Sequence, residues 1–188
     1  MGAITSSKHI YDDLTVTYFS QKGWQAFSIA KTGRYADVIA FKGNNLAIIE
    51  VKSPNELSTD SVYDDAANLS SALYAKVGKY LTETRAKVSG LFKRNPIQKL
   101  YAISIACQVS RYLYEFDEKS MDYEKAIGGA VKLSSSNKYI KIPFLVVPSE
   151  YAKEANEAVN VLKKHGYVTK YSTDNAPPLF VIEVTLKL

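Results

Sequence analysis

Residues 34–53, RYADVIAFKGNNLAIIEVKS, hold two short apolar runs, Val38–Phe41 and Leu46–Ile49, on either side of Lys42-Gly43-Asn44-Asn45. Glycine and asparagine between β-prone runs signal a hairpin. Folding the chain back sets the start of one strand beside the end of the other. Asp37 and Glu50 then become neighbours, and Lys52, two residues past Glu50, projects from the same face of its strand.

Upstream, the hydroxyls of Thr5, Ser6 and Ser7 offer N-caps for a helix predicted over residues 8–21, which Lys22-Gly23 would end. Ile10, Leu14 and Tyr18 form its expected apolar stripe, flanked by Tyr11 and Phe19. Asp12 and Asp13 lie on its second turn about 100° apart, so one of the two faces inward. Trp24–Ile29 alternates apolar and polar residues as a strand does. Lys31-Thr32-Gly33 turns the chain into the hairpin.

Downstream, Ser53-Pro54-Asn55 stops the third strand. A helix is predicted from about residue 60 to the Arg85 region, with Leu69, Leu73, Val77 and Tyr80 as its buried stripe and Asn95-Pro96 as its end. Lys99–Val109 reads as a fourth core strand, reached through that helix as a crossover. Residues 1–110 are thus expected to form an α/β core of order αβββαβ, a mixed central sheet flanked by helices. Residues 111–188 form an extension. In it, Arg111–Lys138 is a hairpin or helix-loop insertion, Tyr139–Val147 a strand, and Ser149–His165 a helix capped by Ser149 and closed by Gly166. Tyr167–Tyr171 and Leu179–Leu188 are strands around an Asp174–Pro178 loop. This βαββ extension is expected to continue the same sheet, giving one domain overall.

A chain of 188 residues, 46% apolar and 23% charged, is long enough for a proper core and has an ordinary globular composition. No apolar run is long enough to span a bilayer and no secretory segment opens the sequence, so a cytoplasmic protein without a membrane partner is expected. The single cysteine, Cys107, excludes an intramolecular disulfide; its apolar surroundings predict a buried thiol rather than a nucleophile. The two histidines, His9 and His165, lie far apart in sequence near helix ends, which argues against a histidine site. Neither GxxxxGK[ST] nor GxGxxG occurs, so no nucleotide cofactor is expected.

Net charge is +5, from 24 basic against 19 acidic residues. Lys76, Lys79, Arg85, Lys87, Lys93, Arg94 and Lys99 face a single acid in their segment, Glu83, so this segment carries the whole excess. Such a patch suits a polyanion such as nucleic acid, though it is also what a solvated helix face looks like. Tyr74, Tyr80, Tyr112 and Tyr114 lie near it and are candidates for stacking on bases.

Asp37, Glu50 and the Val51 carbonyl together make an oxygen donor set of the kind Mg²⁺ or Mn²⁺ takes. An ion there would polarise a phosphate and acidify a bound water. Lys52 would orient that water or offset charge developing on the phosphate. Asp12 would add a carboxylate if the first helix crosses the sheet. Glu56, Asp64 and Asp65 are further acids near the site, explained equally well as a solvated helix N-terminus. The plain alternative is a surface ion pair, Asp37–Lys52 or Glu50–Lys52.

These residues resemble the core motif of the PD-(D/E)xK nuclease superfamily, with Asp37, Glu50 and Lys52 as its D, E and K. The run from the first helix through QKGWQAF and GRYADVIAFKGNNLAIIEVKS is most similar to archaeal Holliday-junction-resolvase-like nucleases. In those, an acidic residue of the first helix precedes a Gly-aromatic pair by about three turns. Asp12, eleven residues before Gly23, stands there in place of the usual Glu. Ala36 stands where the proline of the motif's name would be. The similarity covers about the first 110 residues. It implies a restriction-endonuclease-like core and a magnesium- or manganese-dependent endonuclease. Such an enzyme would hydrolyse DNA phosphodiesters without a covalent intermediate, in junction resolution, repair or restriction, and as a homodimer. Asp37, Glu50 and Asp12 would hold metal, Lys52 would assist the water, and Lys76, Lys79, Arg85, Lys87, Lys93 and Arg94 would bind the DNA backbone. The rival expectation is a non-catalytic nucleic-acid-binding or assembly protein that keeps the nuclease fold. The presence of all three motif residues argues against a decayed site.

Overall fold

The structure is a computed structural model and describes residues 7–29, 36–53, 72–109, 113, 116, 120–133 and 139–187. In chain order the elements are α1 (Ser7–Gln21), β1 (Gln25–Ser28), β2 (Val38–Lys42), β3 (Asn45–Val51), α2 (Ala72–Leu91), α3 (Pro96–Ile103), α4 (Ser120–Ala126), β4 (Ile140–Pro148), α5 (Ala152–Lys164), β5 (Val168–Ala176) and β6 (Leu179–Leu186). The fold is α/β. Its six strands form one mixed sheet in the order β1-β2-β3-β4-β6-β5.

The hairpin forms in the expected register: Val38 pairs with Ile49 and Lys42 with Asn45. Gly43 and Asn44 make the turn, and Gly43 takes the positive φ of 58°, which costs a residue without Cβ little. α1 closes as its Gly23 predicts. Gly23 has φ 82°, its N–H donates to Ser20 O at 3.0 Å, and Trp24 N–H donates to Phe19 O at 3.0 Å. This is the Schellman pattern, and its usual apolar contact is present as the edge-to-face rings of Phe19 and Trp24, 5.8 Å apart. α5 ends the same way at Gly166, with Gly166 N–H on Lys163 O and Tyr167 N–H on Leu162 O.

The inward face of α1 agrees with the expected stripe at Leu14 and Tyr18, which pack half-buried against the core, and departs from it elsewhere. Ile10 is 51% exposed, whereas Asp12 at 1%, Thr15 at 0% and Phe19 at 2% are buried. Thr15 tolerates this because its hydroxyl donates to Tyr11 O at 2.7 Å. Phe19 sets the rotation of the helix: its ring meets Phe144 edge-on at 5.0 Å as well as Trp24.

The largest correction concerns Lys99–Val109, which is not a strand. Asn95-Pro96 begins a helix instead of ending one: Asn95 Oδ1 accepts from Gln98 N–H at 3.1 Å, and Pro96 occupies the first helical position, where its missing N–H costs nothing. α3 continues as a π-helical segment, Ser104–Val109. Tyr101, Ala102, Ile103, Ile105, Ala106 and Cys107 are all buried, and an all-round apolar run of this length carries no period to separate helix from strand. Replacing Asn95 by alanine is expected to cost about 0.5–2 kcal/mol, read from the chemical-denaturation midpoint.

The fourth core strand is therefore β4, which runs parallel to β3 with Glu50 beside Leu145. The connection between them includes α2, α3 and α4. α4 agrees with the helix-loop option for the insertion. β5 and β6 complete the sheet as a hairpin whose turn is only Pro177-Pro178, so most of the expected Asp174–Pro178 loop is strand. Ser149 does not cap α5. A short 3₁₀ turn, Ser149–Tyr151, leads in, and no side chain caps either helical start. The first part of the predicted helix after residue 60 falls outside the described residues.

The two faces of the sheet are covered differently. Val38, Ala40, Ala47, Ile49, Val51, Phe144, Val146, Leu179 and Val181 pack with Phe19 of α1. On the other face Leu145, Val147, Phe180 and Ile182 pack with α2, α3 and α5, while Ile39, Phe41, Leu46 and Ile48 meet Tyr123 of α4. Cys107 lies in that second layer with its thiol pushed up to about 12 by burial, partly offset by the Arg85 charge. It is a core thiol.

α1 is tied to the far side of the sheet by Tyr18, whose hydroxyl donates to Asp174 Oδ2 at 2.6 Å, with Lys22 Nζ 3.4 Å from the same oxygen. The Tyr18 bond, aided by Lys22 and opposed by desolvation, holds the Asp174 carboxyl below its usual range. Burial first, and then Asp174, raise the Tyr18 phenol. A depressed carboxylate contributes stability above its unfolded pKa of about 3.9 and loses it as pH falls through the lower folded value. Tyr18→Phe should thus lower the melting temperature near pH 6, and the gap to wild type should close below about pH 4.

Candidate metal centre

The site lies where β2 and β3 part. β2 begins its ladder at Val38 opposite Ile49, but β3 runs on beside β4, with Lys52 N–H donating to Val146 O at 3.0 Å. Beyond Ile49, the β2-side edge of β3 is therefore opened by the departing chain. Asp37 fills part of the gap: its Oδ2 accepts the Val51 N–H at 2.8 Å, and its carbonyl accepts from Ile29 N–H at 2.9 Å. The N–H and C=O of one strand residue point to the same edge, so the Val51 carbonyl is directed into this notch as well.

Parity places Glu50 and Lys52 on the face of β3 that carries Leu46 and Ile48. Their side chains touch, Lys52 Nζ standing 2.8 Å from Glu50 Oε1. Asp37, Glu50 and Lys52 are only 5%, 3% and 5% exposed. An exposed ion pair was the plain alternative for Glu50-x-Lys52. The pair is instead buried, where charge is tolerated only in a closely matched arrangement. The Val38–Ile49 pairing sets Asp37 opposite Glu50 in register, and with the Val51 carbonyl the two carboxylates offer hard oxygen donors of the type a small divalent cation takes. This donor set fits magnesium or manganese.

Asp12 is the inward-facing member of the Asp12–Asp13 pair; Asp13 is exposed. α1 packs on the face of Val38, Ile49 and Val51, opposite to the one that parity gives Glu50. His9 Nδ1 lies 3.5 Å from Asp12 Oδ2, a contact whose only signal in the sequence was the i, i+3 spacing. Among the described residues no three His, Cys, Asp or Glu side chains gather closely enough to hold an ion by themselves. The structure bonds Asp37 to Val51 and seats Lys52 against Glu50, and it buries Asp12 on the inward side of α1. Ser53, also buried, was not singled out from the sequence. Glu56, Asp64 and Asp65 lie outside the described residues.

The basic segment maps to α2, the turn after it, and α3. Lys79, Lys87, Lys93, Arg94 and Lys99 are exposed, and Arg85 is half-buried. The side chains of Lys76 and Tyr74, and residues Tyr112 and Tyr114, are outside the described set. Tyr80 packs against the core, which is the ordinary use of such a tyrosine. Lys79 stands 3.9 Å from Glu83 along the helix, a spacing expected to add little. Both helices pack on the sheet face that Glu50 and Lys52 share. Among the described residues no helix is long and apolar enough to cross a membrane.

The chain matches no protein-family model, no curated protein and no solved structure at a significant level.

Proposed function

We propose that this chain is a metal-dependent DNA endonuclease of the PD-(D/E)xK type. The observation that carries the reading is the notch itself. The hairpin register sets Asp37 opposite Glu50, Asp37 accepts the Val51 N–H, and Lys52 is seated against Glu50 at 2.8 Å. The order of the elements supports it: helix, antiparallel three-strand meander, helices, then a strand parallel to the third. That is the order expected of a restriction-endonuclease-like core, with β4 in the place first given to residues 99–109.

Asp37, Glu50 and the Val51 carbonyl would hold Mg²⁺ or Mn²⁺. When bound, such an ion supplies Lewis-acid polarisation of the phosphate and a water of lowered pKa. Asp37 is already fixed by the Val51 N–H, so its carboxylate needs little reorganisation to accept a cation. Lys52 would orient the attacking water or offset the charge developing on the phosphate, its ammonium held in place by Glu50. Asp12, buried on α1, would add its carboxylate through water. The exposed lysines and arginines of α2 and α3 would neutralise DNA phosphates, and binding should weaken steeply with added salt.

The test is cleavage of plasmid, four-way junction, flap and single-stranded DNA by wild type with Mg²⁺ or Mn²⁺ and with EDTA. Metal-dependent cutting of at least one substrate is expected. DNA binding without cutting of any substrate in either metal would sink the catalytic reading and leave a non-catalytic DNA-binding protein.

A further inference from the structure

β5 closes one end of the sheet and forms a ladder only with β6 among the described strands. The opposite edge, β1, is four residues long; β5 is nine. An edge of this length presents a row of backbone donors and acceptors to any further strand. Thr169, Lys170, Ser172, Thr173 and Asn175 are exposed. The irregularity in its pairing falls between Val168 and Lys170, so Lys170–Ala176 keeps a regular register. Both prolines lie in the turn beyond the strand, leaving every residue of this stretch a backbone N–H.

The strand is also held on both faces. Tyr171 donates to Asn160 of α5 and lies under the Lys163 ammonium, and Asp174 receives Tyr18 from α1. A strand fixed in this way gives up little conformational freedom when another pairs with it.

Its sequence is complementary to itself. In an antiparallel pair of identical strands centred on Ser172, Tyr171 faces Thr173, and Lys170 faces Asp174, each twice. Lys170 and Asp174 are four residues apart and share a face, so the two-fold pairing would create two cross-strand ion pairs. Aromatic–β-branched and opposite-charge pairs are among the favourable cross-strand combinations. Tyr18 and Lys22 both approach Asp174 through Oδ2, which leaves Oδ1 to accept the Lys170 ammonium.

We propose that β5 pairs antiparallel with β5 of a second copy of this chain, centred on Ser172 and fixed by reciprocal Lys170–Asp174 ion pairs. The two sheets would become one twelve-stranded sheet. This inference is independent of the reaction assigned to the notch.

Sedimentation equilibrium of the full chain tests it, with Lys170→Asp, Asp174→Lys and their equimolar mixture, and far-ultraviolet circular dichroism to establish folding. Wild type is expected to be a dimer. Each single reversal sets like charges opposite one another twice and should weaken self-association by about tenfold or more. The mixture restores both opposite-charge pairs and should recover the dimer. Lys170→Asp alters an exposed side chain and carries the test even if Asp174→Lys disturbs Tyr18. A monomeric wild type, a dimer indifferent to Lys170→Asp, or folded variants whose mixture stays monomeric would each overturn the proposal. A dimer indifferent to the reversals would place the contact elsewhere, and a monomer that captures only foreign β-strand peptides would assign the edge to another partner.

Discussion

Lys52→Met is expected to lower DNA cleavage by about 10²- to 10³-fold, the usual cost of removing one charged group that stabilises a transition state. The same substitution should also destabilise the protein. Lys52 and Glu50 form a buried contact of 2.8 Å, and deleting one member of a buried pair typically costs about 3–5 kcal/mol because the other charge stays in the interior. The two effects separate in a double variant. Glu50→Gln/Lys52→Met removes both charges while keeping the volume close to native, so much of the stability should return. Cleavage should not. A Lys52→Met protein that melts lower but cuts at the wild-type rate would make the pair purely structural. Measuring single-turnover cleavage and thermal melting on the same three proteins decides between these roles.

Phe19→Ala is expected to produce the largest loss of stability of any single core truncation considered, about 3–5 kcal/mol. Phe19 is 2% exposed. Its ring makes edge-to-face contacts with Tyr18, Trp24 and Phe144, at 5.2, 5.8 and 5.0 Å. One side chain therefore joins α1, the turn into β1 and the central strand β4. The cavity left behind could not close without moving all three. The denaturant midpoint should fall with the slope unchanged. A loss below about 1 kcal/mol would show that α1 is held by other contacts.

In the sequence Phe19 stood only on the flank of the apolar stripe of α1. Leu14 and Tyr18 of that stripe pack half-buried beside Phe19, yet Ile10 is exposed while Asp12 and Thr15 face inward. A carboxylate and a threonine at inward positions break the apolar pattern, and it is the tertiary partners, Trp24 and Phe144, that set the rotation. The hairpin was readable for the opposite reason. Its register follows from two apolar runs and a tight turn, and once Val38 pairs with Ile49 the neighbours Asp37 and Glu50 follow from geometry alone. Gly23 and Gly166 were readable as helix ends because a left-handed residue there has few substitutes.

The fourth strand was misplaced by more than thirty residues because one dipeptide has two meanings. Asn-Pro after a helix can end it, and it can also cap the next. Only the donation of Gln98 N–H to Asn95 Oδ1 distinguishes these uses, and the uniformly apolar run that follows gives no period. The candidate site shows the same division. The register that sets Asp37 opposite Glu50, and the contact of Glu50 with Lys52, were legible from local spacing. The burial of the trio, the opening of β3 toward Asp37 and the burial of Asp12 depend on how distant elements pack.

The proposed reaction requires Asp37 and Glu50 to hold a divalent cation. Titration of the metal-free protein with Mn²⁺, followed by electron paramagnetic resonance of the free ion, addresses it without relying on activity. Wild type should bind Mn²⁺, and Asp37→Asn and Glu50→Gln, both verified as folded, should each weaken that binding by about tenfold or more. Equal Mn²⁺ binding by wild type and both variants would contradict it.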